Sequence, residues 1–255
     1  DICIRSESRT EKITPNTTNI VGGTWTNTPS NSRLISVDGA VTTNNLAPWI
    51  ITDYYGIGSD NNWSSGALDD LYGDNVVYGT DLSDADRYRL ESYLAIKYGV
   101  TLKDGTTSGQ FNYVNSSGAV IWNGYNNATY HNNIFGIAKD LNGGLNQKVS
   151  KSINTGAIIT AATTNNFTSN NYDGSRSSLN NGQFVMLGDN DNASTALTAL
   201  NPVSCPALSD GMYRIAKEWR VQETGASGPV WIEADLSGYG INSDIVFSEV
   251  LVHDK

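Results

Sequence analysis

Residues 83–99 have the sequence SDADRYRLESYLAIKYG, which is the clearest helical signal in the chain. Ser83 is a preferred N-cap residue, and Asp86 stands where the acidic partner of a capping box belongs. Apolar side chains then recur at three- and four-residue spacing, and Gly99 suits the left-handed position that ends a helix. The pattern predicts a single helix over about residues 84–98.

The chain on both sides of this helix has the composition of strands and loops. Only 16% of its 255 residues are charged, compared with about a quarter in an average soluble domain. Asn, Ser, Thr and Gly supply the polar surface instead, and these residues favour turns or strands over helices. The sequence therefore predicts a mainly β fold, made of antiparallel β-sandwich modules with the one connecting helix.

Several short segments have the character of strands. Arg33–Val37 and Ala40–Thr43 flank the tight-turn dipeptide Asp38-Gly39. The segment Val230–Leu236 alternates strictly, with apolar even-numbered residues and with Trp231, Glu233 and Asp235 between them, which predicts a half-buried antiparallel strand. The other candidate strands are Leu46–Asp53, Ala119–Trp122, Asn133–Ala138, Ala157–Thr160, Gln183–Gly188, Tyr213–Glu223 and Ile245–Val252.

The charge balance excludes some classes of partner. The formal net charge is −10 and no basic run occurs, so neither nucleic acid nor anionic lipid is an expected ligand. No apolar run approaches the roughly 20 residues that a membrane helix needs, and we expect no membrane insertion. An acidic surface favours divalent cations, Ca²⁺ above all.

The two cysteines and the two ends of the chain give further expectations. Cys3 and Cys205 are too few for a disulfide framework, and their spacing leaves open whether they pair. The chain begins at Asp1 without a signal peptide and ends directly after the apolar run Ile245–Val252. We therefore expect a fragment that is cut at both ends.

Three segments resemble stretches of very large surface proteins of Bacteroidota, including adhesins linked to gliding motility. Asp81–Leu102 resembles the helix that joins two β domains in those proteins. Phe135–Ser152 is similar to their "FGIGRD…GLNQKQSKS" segment, although Ala138 stands where Gly is common. Glu218–Gly225 matches their "W-x-VQETG" stretch.

The region before the helix resembles part of a laminin-G-like, or concanavalin A-like, β-sandwich. Ser32–Val41 is similar to the strand-turn-strand "R-L-x-x-x-VDG-x-x" of that fold. The resemblances imply a truncated laminin-G-like sandwich over residues 1–80, a bridging helix over 81–102 and a second, truncated β module over 103–255. They also imply type IX secretion to the bacterial cell surface, with neighbouring modules of the same long chain as partners.

Calcium is the cofactor for which the sequence makes some case. Asp189, Asn190 and Asp191 concentrate oxygen ligands on one expected loop, and Asp140 and Asn142 form a second cluster. Neither cluster matches the twelve-residue EF-hand loop. Asp and Asn are also standard turn formers, so plain turns are the simpler interpretation of both clusters.

Aromatic residues near loops are candidates for contacts with surface glycans. Trp25, Tyr54, Tyr55 and Trp63 lie in or near loops of the laminin-G-like region, where sugars could stack on their faces. The chain has six Trp and thirteen Tyr, and most of them must belong to the core or to half-buried sheet faces.

Catalytic patterns are weak. Glu233 and Asp235 begin the E-x-D-x-x-E arrangement of some glycoside hydrolases, but the final Glu is missing, and we expect both to solvate a sheet face. His131 and His253 are far apart, no G-x-S-x-G motif occurs, and His131 in its Asn-rich surroundings is expected on the surface.

The sequence thus favours a non-catalytic extracellular segment of a surface adhesin or filament. A carbohydrate-binding module is the alternative, and a polysaccharide hydrolase is a weaker third hypothesis.

Overall fold

The computed structural model describes residues 17–25, 33–44, 73–104, 110–168, 170–193, 197–199 and 213–237. The fold is mainly β with one α-helix among these residues, as predicted, and its strands pair antiparallel. In chain order the elements are β1 Val21–Trp25, β2 Arg33–Val37, β3 Ala40–Asn44, α1 Asp84–Tyr98, β4 Tyr113–Val114, β5 Val120–Trp122, β6 Asn132–Asp140, β7 Leu145–Gln147, β8 Val149–Lys151, β9 Ile159–Ala162, β10 Gln183–Asp189, β11 Leu197–Ala199, β12 Tyr213–Ile215, β13 Trp219–Thr224 and β14 Trp231–Ala234.

The helix begins and ends where the sequence predicts. The Ser83 hydroxyl accepts a hydrogen bond from the Asp86 backbone N–H at 3.1 Å and donates one to the Asp86 carboxylate at 2.6 Å. This differs from the standard capping box, in which the acid reaches the N-cap backbone N–H. At the other end Gly99 has φ +67°, and its N–H donates to the Ala95 carbonyl, so the left-handed C-cap is confirmed.

The central sheet has the strand order β13-β10-β6-β7, and its two middle strands, β10 and β6, are buried on both faces. Alternate residues of β6 and β10 point to opposite sides, as the period of a strand requires. Phe184 and Met186 belong to one apolar cluster, whereas Val185 and Leu187 belong to another. This arrangement explains why Gln183–Asp189 is an almost continuous apolar run rather than an alternating one.

The first apolar cluster lies between the central sheet and the helix. It contains Ala95 and Ile96 of α1, Trp122 of β5 and Phe184 and Met186 of β10. Tyr113 is fully buried here, and its hydroxyl accepts the Leu102 N–H at 2.9 Å and donates to the Val100 carbonyl at 3.0 Å. The helix is therefore one layer of the core.

The second apolar cluster lies between the central sheet and a three-stranded sheet of order β14-β9-β8. Phe135 and Ile137 of β6 face Ile159 and Ala161 of β9. β7 and β8 are consecutive strands that belong to different sheets and are separated only by Lys148. Helix, central sheet and second sheet thus form three layers.

The small sheet β1-β2-β3 packs against the first cluster. Ile20, just before β1, belongs to that cluster with Ala95 and Ile96. Asp38, at φ +50°, and Gly39, at φ +87°, make the predicted tight turn between β2 and β3. The turn is tied to its neighbours, because the Asp38 N–H donates to the Ile20 carbonyl and the Asp38 carbonyl accepts from the Lys103 N–H.

A buried ion pair lies on the face of the helix near this small sheet. Arg87 binds Glu91 at 3.1 Å, and both side chains are less than 10% exposed. Burial raises the pKa of Glu91, against the opposing effects of the Ser36 hydroxyl and of Arg87. Ser36 belongs to β2 and is fully buried, so a charged pair on the helix and a hydroxyl on the sheet meet at this contact.

Two strand predictions need correction. Tyr213–Glu223 is not one strand, because residues 216–218 separate β12 from β13 and the two strands belong to different sheets. Val230–Leu236 forms only the four-residue β14. Its ends Val230 and Leu236 pack on the second cluster, but Ile232 and Ala234 are exposed, so the strand is not half-buried as expected.

Other sequence features fall outside the described residues: the candidate strands Leu46–Asp53 and Ile245–Val252, and Cys3 and Cys205. No helix in the described ranges is both long and apolar enough to span a bilayer.

Asp38 gives a test of the contact between the small sheet and the core. Burial raises its pKa from 3.8 to about 6, against the opposing Ile20 N–H and Lys103. Because the folded pKa exceeds the unfolded one, the stability that Asp38 contributes at low pH is lost as pH rises from about 4 to 6. Asp38→Asn should therefore stabilise the protein at pH 7 by about 1–2 kcal/mol, and the gain should vanish near pH 4.

Urea unfolding at both pH values measures this difference. The exposed Asp81→Asn is the matched control and should change little at either pH. A loss of stability in Asp38→Asn at pH 7 would contradict the burial cost assigned to the carboxylate.

Candidate functional site

The first predicted calcium cluster stands at the end of β10, where Asp189 is buried with 1% of its surface exposed. Its carboxylate binds the ammonium of Lys217 at 2.9 Å and accepts hydrogen bonds from the Asn133 amide at 2.7 Å and the Asp191 N–H at 2.9 Å. Lys217 is itself only 5% exposed. The Lys217 ammonium thus neutralises the Asp189 carboxylate in the way that a bound cation would.

Lys217 was not identified from the sequence. It lies within the segment that was predicted as one strand, between β12 and β13, and a single Lys there gives no signal of burial. Lys217 is buried where the predicted strand is interrupted between β12 and β13. Two Asn side chains stabilise this interruption, since the amides of Asn190 and Asn192 both donate to the Ala216 carbonyl. Asn190 also accepts the Glu218 N–H at 3.1 Å.

A small polar cavity of about 190 Å³ opens beside this ion pair. Thr101 is at its wall, and its hydroxyl accepts hydrogen bonds from the Ile134 N–H at 2.9 Å and from the Asn154 amide at 3.2 Å. Lys103 and Asp191 bring opposite charges to the rim. The lining residues are Thr101, Lys103, His131, Asn132, Asn133, Asn154 and Asp191. Such a lining suits a small ligand that offers hydroxyl or amide groups.

His131 is buried in the wall of this cavity, and the expectation of an exposed His131 is wrong. Its Nδ1 accepts the Trp122 indole N–H at 3.0 Å, which places the proton on Nε2, 2.8 Å from the Leu102 carbonyl. The Phe111 N–H also points at Nε2, at 3.2 Å, and competes with this arrangement. Burial lowers the pKa of His131, and the Leu102 carbonyl opposes the shift. Both ring nitrogens are occupied, and the imidazole holds the structure together instead of presenting a base to the cavity.

The second predicted calcium cluster is a turn. The Asp140 carboxylate accepts hydrogen bonds from the Ser116 N–H at 2.8 Å, the Ser116 hydroxyl at 2.7 Å and the Gly143 N–H at 3.3 Å. Asn142 is exposed on the same turn. Asp140 thus connects the β6–β7 turn to the β4–β5 hairpin. This is the structural role expected of a turn-forming Asp.

The structure does not bring the two acidic clusters together. Asp189 and Asp140 stand at opposite ends of the paired strands β10 and β6, and each engages its own loop. Across the part of the chain that is described, no three His, Cys, Asp or Glu side chains form a group that could hold a metal ion. Calcium binding stays a prediction at both clusters, Asp189, Asn190 and Asp191 and also Asp140 and Asn142.

Of the four aromatic candidates, the structure describes one. Tyr54, Tyr55 and Trp63 lie outside the described residues, and Trp25 ends β1. Of the later aromatics, Trp122 is fully buried, whereas Tyr125 is exposed and its hydroxyl donates to the Asp104 carboxylate at 3.2 Å.

The acids Glu233 and Asp235 are both exposed, as expected for residues that solvate a sheet face. Asp235 accepts hydrogen bonds from the N–H and the hydroxyl of Ser237, and these bonds lower its pKa. The carboxylate therefore holds a turn after β14.

The Glu218–Gly225 motif has structural tasks. Trp219 packs against the second cluster. The Gln222 amide oxygen accepts the Asn127 side-chain amide at 2.8 Å and the Asn123 N–H at 3.2 Å, which fixes the loop after β5. Glu223 accepts the Ser227 hydroxyl at 2.8 Å.

Residues of the Phe135–Ser152 motif also stabilise the strand pairing. A Cβ at Gly136 would lie 2.7 Å from the Val185 carbonyl oxygen, so glycine permits the close approach of β6 and β10. Further along, the Asn171 amide binds the Asn146 carbonyl at 2.7 Å and the Gln147 side chain at 3.0 Å. The motif thus fixes β6 and the crossing from β7 to β8.

Because Lys217 neutralises the buried Asp189, its replacement should lower the free energy of unfolding far more than replacement of the exposed Lys151. Lys217→Met leaves the Asp189 carboxylate buried without its counter-charge, which should cost about 3–5 kcal/mol in urea unfolding. The exposed Lys151→Met is the control and should stay within about 0.5 kcal/mol. The double variant Lys217→Met/Asp189→Asn should recover part of the loss, and no recovery would contradict direct pairing.

His131 predicts a loss of stability on mild acidification. Because its folded pKa lies below the ordinary 6.5, the unfolded chain takes up the proton first, and stability falls as pH drops below about 6.5. Nitrogen-15 NMR of a His253→Ala variant, which keeps His131 as its single histidine, should show the Nε2–H tautomer and a depressed pKa. A pKa at or above 6.5 would contradict the bonding described.

Comparison with known proteins gives one family. No curated protein and no solved structure matches the chain. The sequence model of the family described as "Domain of unknown function (DUF8202)" matches residues 86–255, so it takes in most of the helix together with the β layers. The match covers two thirds of the 255 residues, and the chain therefore belongs to the DUF8202 family.

Proposed function

We propose that this chain is a non-catalytic extracellular segment of a large bacterial surface adhesin or filament, where it holds its loops at a distance from the cell. The observation that carries the proposal is that residues of its sequence motifs stabilise the fold. Ser83 and Gly99 cap the helix, Gly136 permits close strand pairing and Gln222 fixes a loop. These residues build a rigid frame, which suits display and the transmission of load.

The charged groups of the core support the same proposal. Asp189 is neutralised by Lys217, Glu91 by Arg87, and the His131 ring is bonded at both nitrogens. A hydrolase would need two carboxylates about 5–10 Å apart in a cleft. The acids that begin such a motif, Glu233 and Asp235, are exposed on a strand, and Asp235 is bonded to Ser237.

An antibody against the purified chain tests the location. It should label intact, unpermeabilised cells of the source organism, and brief protease treatment of intact cells should remove the label. An antibody against a cytoplasmic protein is the control and should label permeabilised cells alone. Labelling by both antibodies only after permeabilisation would contradict the proposal.

Carbohydrate binding is a second candidate, and the polar cavity beside Asp189 favours it. Amide and hydroxyl groups of Thr101, Asn133 and Asn154 surround the cavity, with Lys103 and Asp191 at the rim. The cavity's roughly 190 Å³ is on the scale of one monosaccharide unit, smaller than the pockets that hold drug-sized ligands.

A glycan array with the purified chain tests this second candidate. Binding should fall at least tenfold in Asp191→Ala and Lys103→Ala, whose side chains are at the cavity rim, and stay unchanged in the exposed control Lys151→Ala. Parallel arrays with Ca²⁺ and with a chelator separate a calcium-dependent site from a purely polar one. Binding that all three variants retain would remove the cavity as the site.

A further inference from the structure

Three buried side chains meet at one end of the central strands: Lys217, Asp189 and Asn133. A single carboxylate oxygen of Asp189, Oδ2, binds the Lys217 ammonium at 2.9 Å and accepts the Asn133 amide at 2.7 Å. The lysine and aspartate side chains are 3% and 2% exposed, and Asn133 is buried as well. Because both nitrogens bind the same oxygen atom, they lie within two hydrogen-bond lengths of each other.

An irregularity in β6 brings Asn133 to this site. The register between β6 and β10 shifts between Leu187 and Asp189, so that Asp189 pairs with Asn132 and the shift falls beside Asn133. Asn133 has φ +52°, a left-handed conformation that Asn adopts more readily than most residues. Such bulges change the direction of a side chain. Here the Asn133 amide reaches the buried carboxylate of Asp189.

We propose that Lys217 and Asn133 form an intramolecular isopeptide bond, and that Asp189 carries the protons for the reaction. Lys217 supplies the nucleophilic nitrogen, and the side-chain carbonyl carbon of Asn133 is the electrophile. The reaction occurs once in each molecule and turns over no substrate, so it is compatible with a non-catalytic segment. The ion pair of Lys217 with Asp189 is its starting arrangement.

The first step removes both charges from the site. The Lys217 ammonium gives a proton to the Asp189 carboxylate, which leaves a neutral amine and a neutral acid. Burial favours this transfer because desolvation penalises both charged groups. The protonated Asp189 then donates a hydrogen bond where it accepted one before. The Asn133 amide turns its oxygen towards Asp189, since an amide carries a donor on one side and an acceptor on the other.

The bond changes balance without an added reactant. A bond forms between Nζ of Lys217 and Cγ of Asn133, and the carbonyl electron pair moves onto Oδ1, which the Asp189 acid stabilises. Asp189 relays one proton from Nζ to Nδ2, the bond from Cγ to Nδ2 breaks, and Nδ2 leaves as ammonia while the carbonyl forms again. The products are a neutral amide, protonated Asp189 and one ammonia. Holding the groups together before the reaction lowers its entropic cost.

The polar cavity described above gives the ammonia an outlet. Asn133 lines that cavity and also belongs to the buried group around Asp189. The amide that loses its nitrogen thus stands between the cavity and the buried Lys217. The leaving group can enter a polar space while the reacting nitrogen stays shielded from water.

Asp189 is itself an alternative acceptor for the Lys217 nitrogen. A bond between these two would release water instead of ammonia, and it would need another acid to carry the protons. The neighbouring Asp191 contacts Asp189 through its backbone N–H rather than through its carboxylate. Asn133 therefore fits the acceptor better, because it leaves Asp189 available for proton transfer.

The bond would join two strands that do not pair with each other. In the central sheet β10 lies between β13 and β6. Asn133 belongs to β6 and Lys217 stands just before β13, so the link passes across the end of β10. A covalent link there keeps the three strands together under tension, as the transmission of load requires. The chemistry itself does not depend on where the protein is located.

The mass of the purified full chain, measured after denaturation, tests the proposal. It should lie below the sequence mass by one ammonia. Trypsin should then release residues 104–139, which contain Asn133, joined to residues 215–220, because trypsin does not cleave after an acylated Lys217. Fragmentation of the joined peptides locates the bond. This measurement on the unaltered chain requires no variant to fold.

Variants with matched controls assign the roles. Lys217→Arg keeps a cation beside Asp189, but its guanidinium stays charged and does not react, so this variant should have its full sequence mass. Asn133→Ala lacks the electrophile and should also have its full mass. The exposed Lys151→Arg and Asn142→Ala are the controls and should both keep the deficit of one ammonia. Circular dichroism verifies that each variant is folded.

Three outcomes would overturn the proposal. A folded, unaltered chain at its full sequence mass would show that Lys217 and Asp189 form an ion pair alone. A deficit of one water, with Lys217 joined to Asp189, would remove Asn133 as the acceptor. A deficit of one ammonia that persists in folded Lys217→Arg would show that the ammonia is lost elsewhere in the chain. None of these results bears on the surface location, which the antibody experiment tests separately.

Discussion

The pairing of β6 with β10, buried on both faces, is the constraint on which the rest of the structure depends. Each of the two strands sends alternate side chains into two separate apolar clusters, so each cluster needs its own cover. The helix and the β4–β5 hairpin cover one face, and the β14-β9-β8 sheet covers the other. Removing either cover would expose fully apolar residues of the central sheet.

The polar interactions follow from the same arrangement. β10 ends in Asp189, whose carboxylate is buried and therefore requires a counter-charge. Lys217, between β12 and β13, supplies that charge. β6 begins after His131, whose ring joins Trp122 to the Leu102 carbonyl. At its other end Asp140 fixes the turn to the β4–β5 hairpin. The candidate cavity thus lies at one end of the central strands because loops from several layers meet there.

Sequence patterns predicted the elements whose signals are local. Ser83, Asp86 and Gly99 determine the ends of the helix through bonds within a few residues, and Asp38-Gly39 determines its own turn. The burial of Lys217 could not be predicted, since it depends on Asp189 and Asn133 from two other strands. His131 was expected on the surface because its neighbours are polar, whereas its partners Trp122 and Leu102 come from other elements.

The packing of Ala95 and Ile96 in the first cluster makes α1 a layer of the core. Native-state hydrogen exchange of the full chain tests it most directly. The slowest amides of α1, around Ala95 and Ile96, should exchange with the same free energy as those of β6 and β10, because all of them open only on global unfolding. Helix amides that exchange several kcal/mol more easily than those of the central sheet would contradict the account.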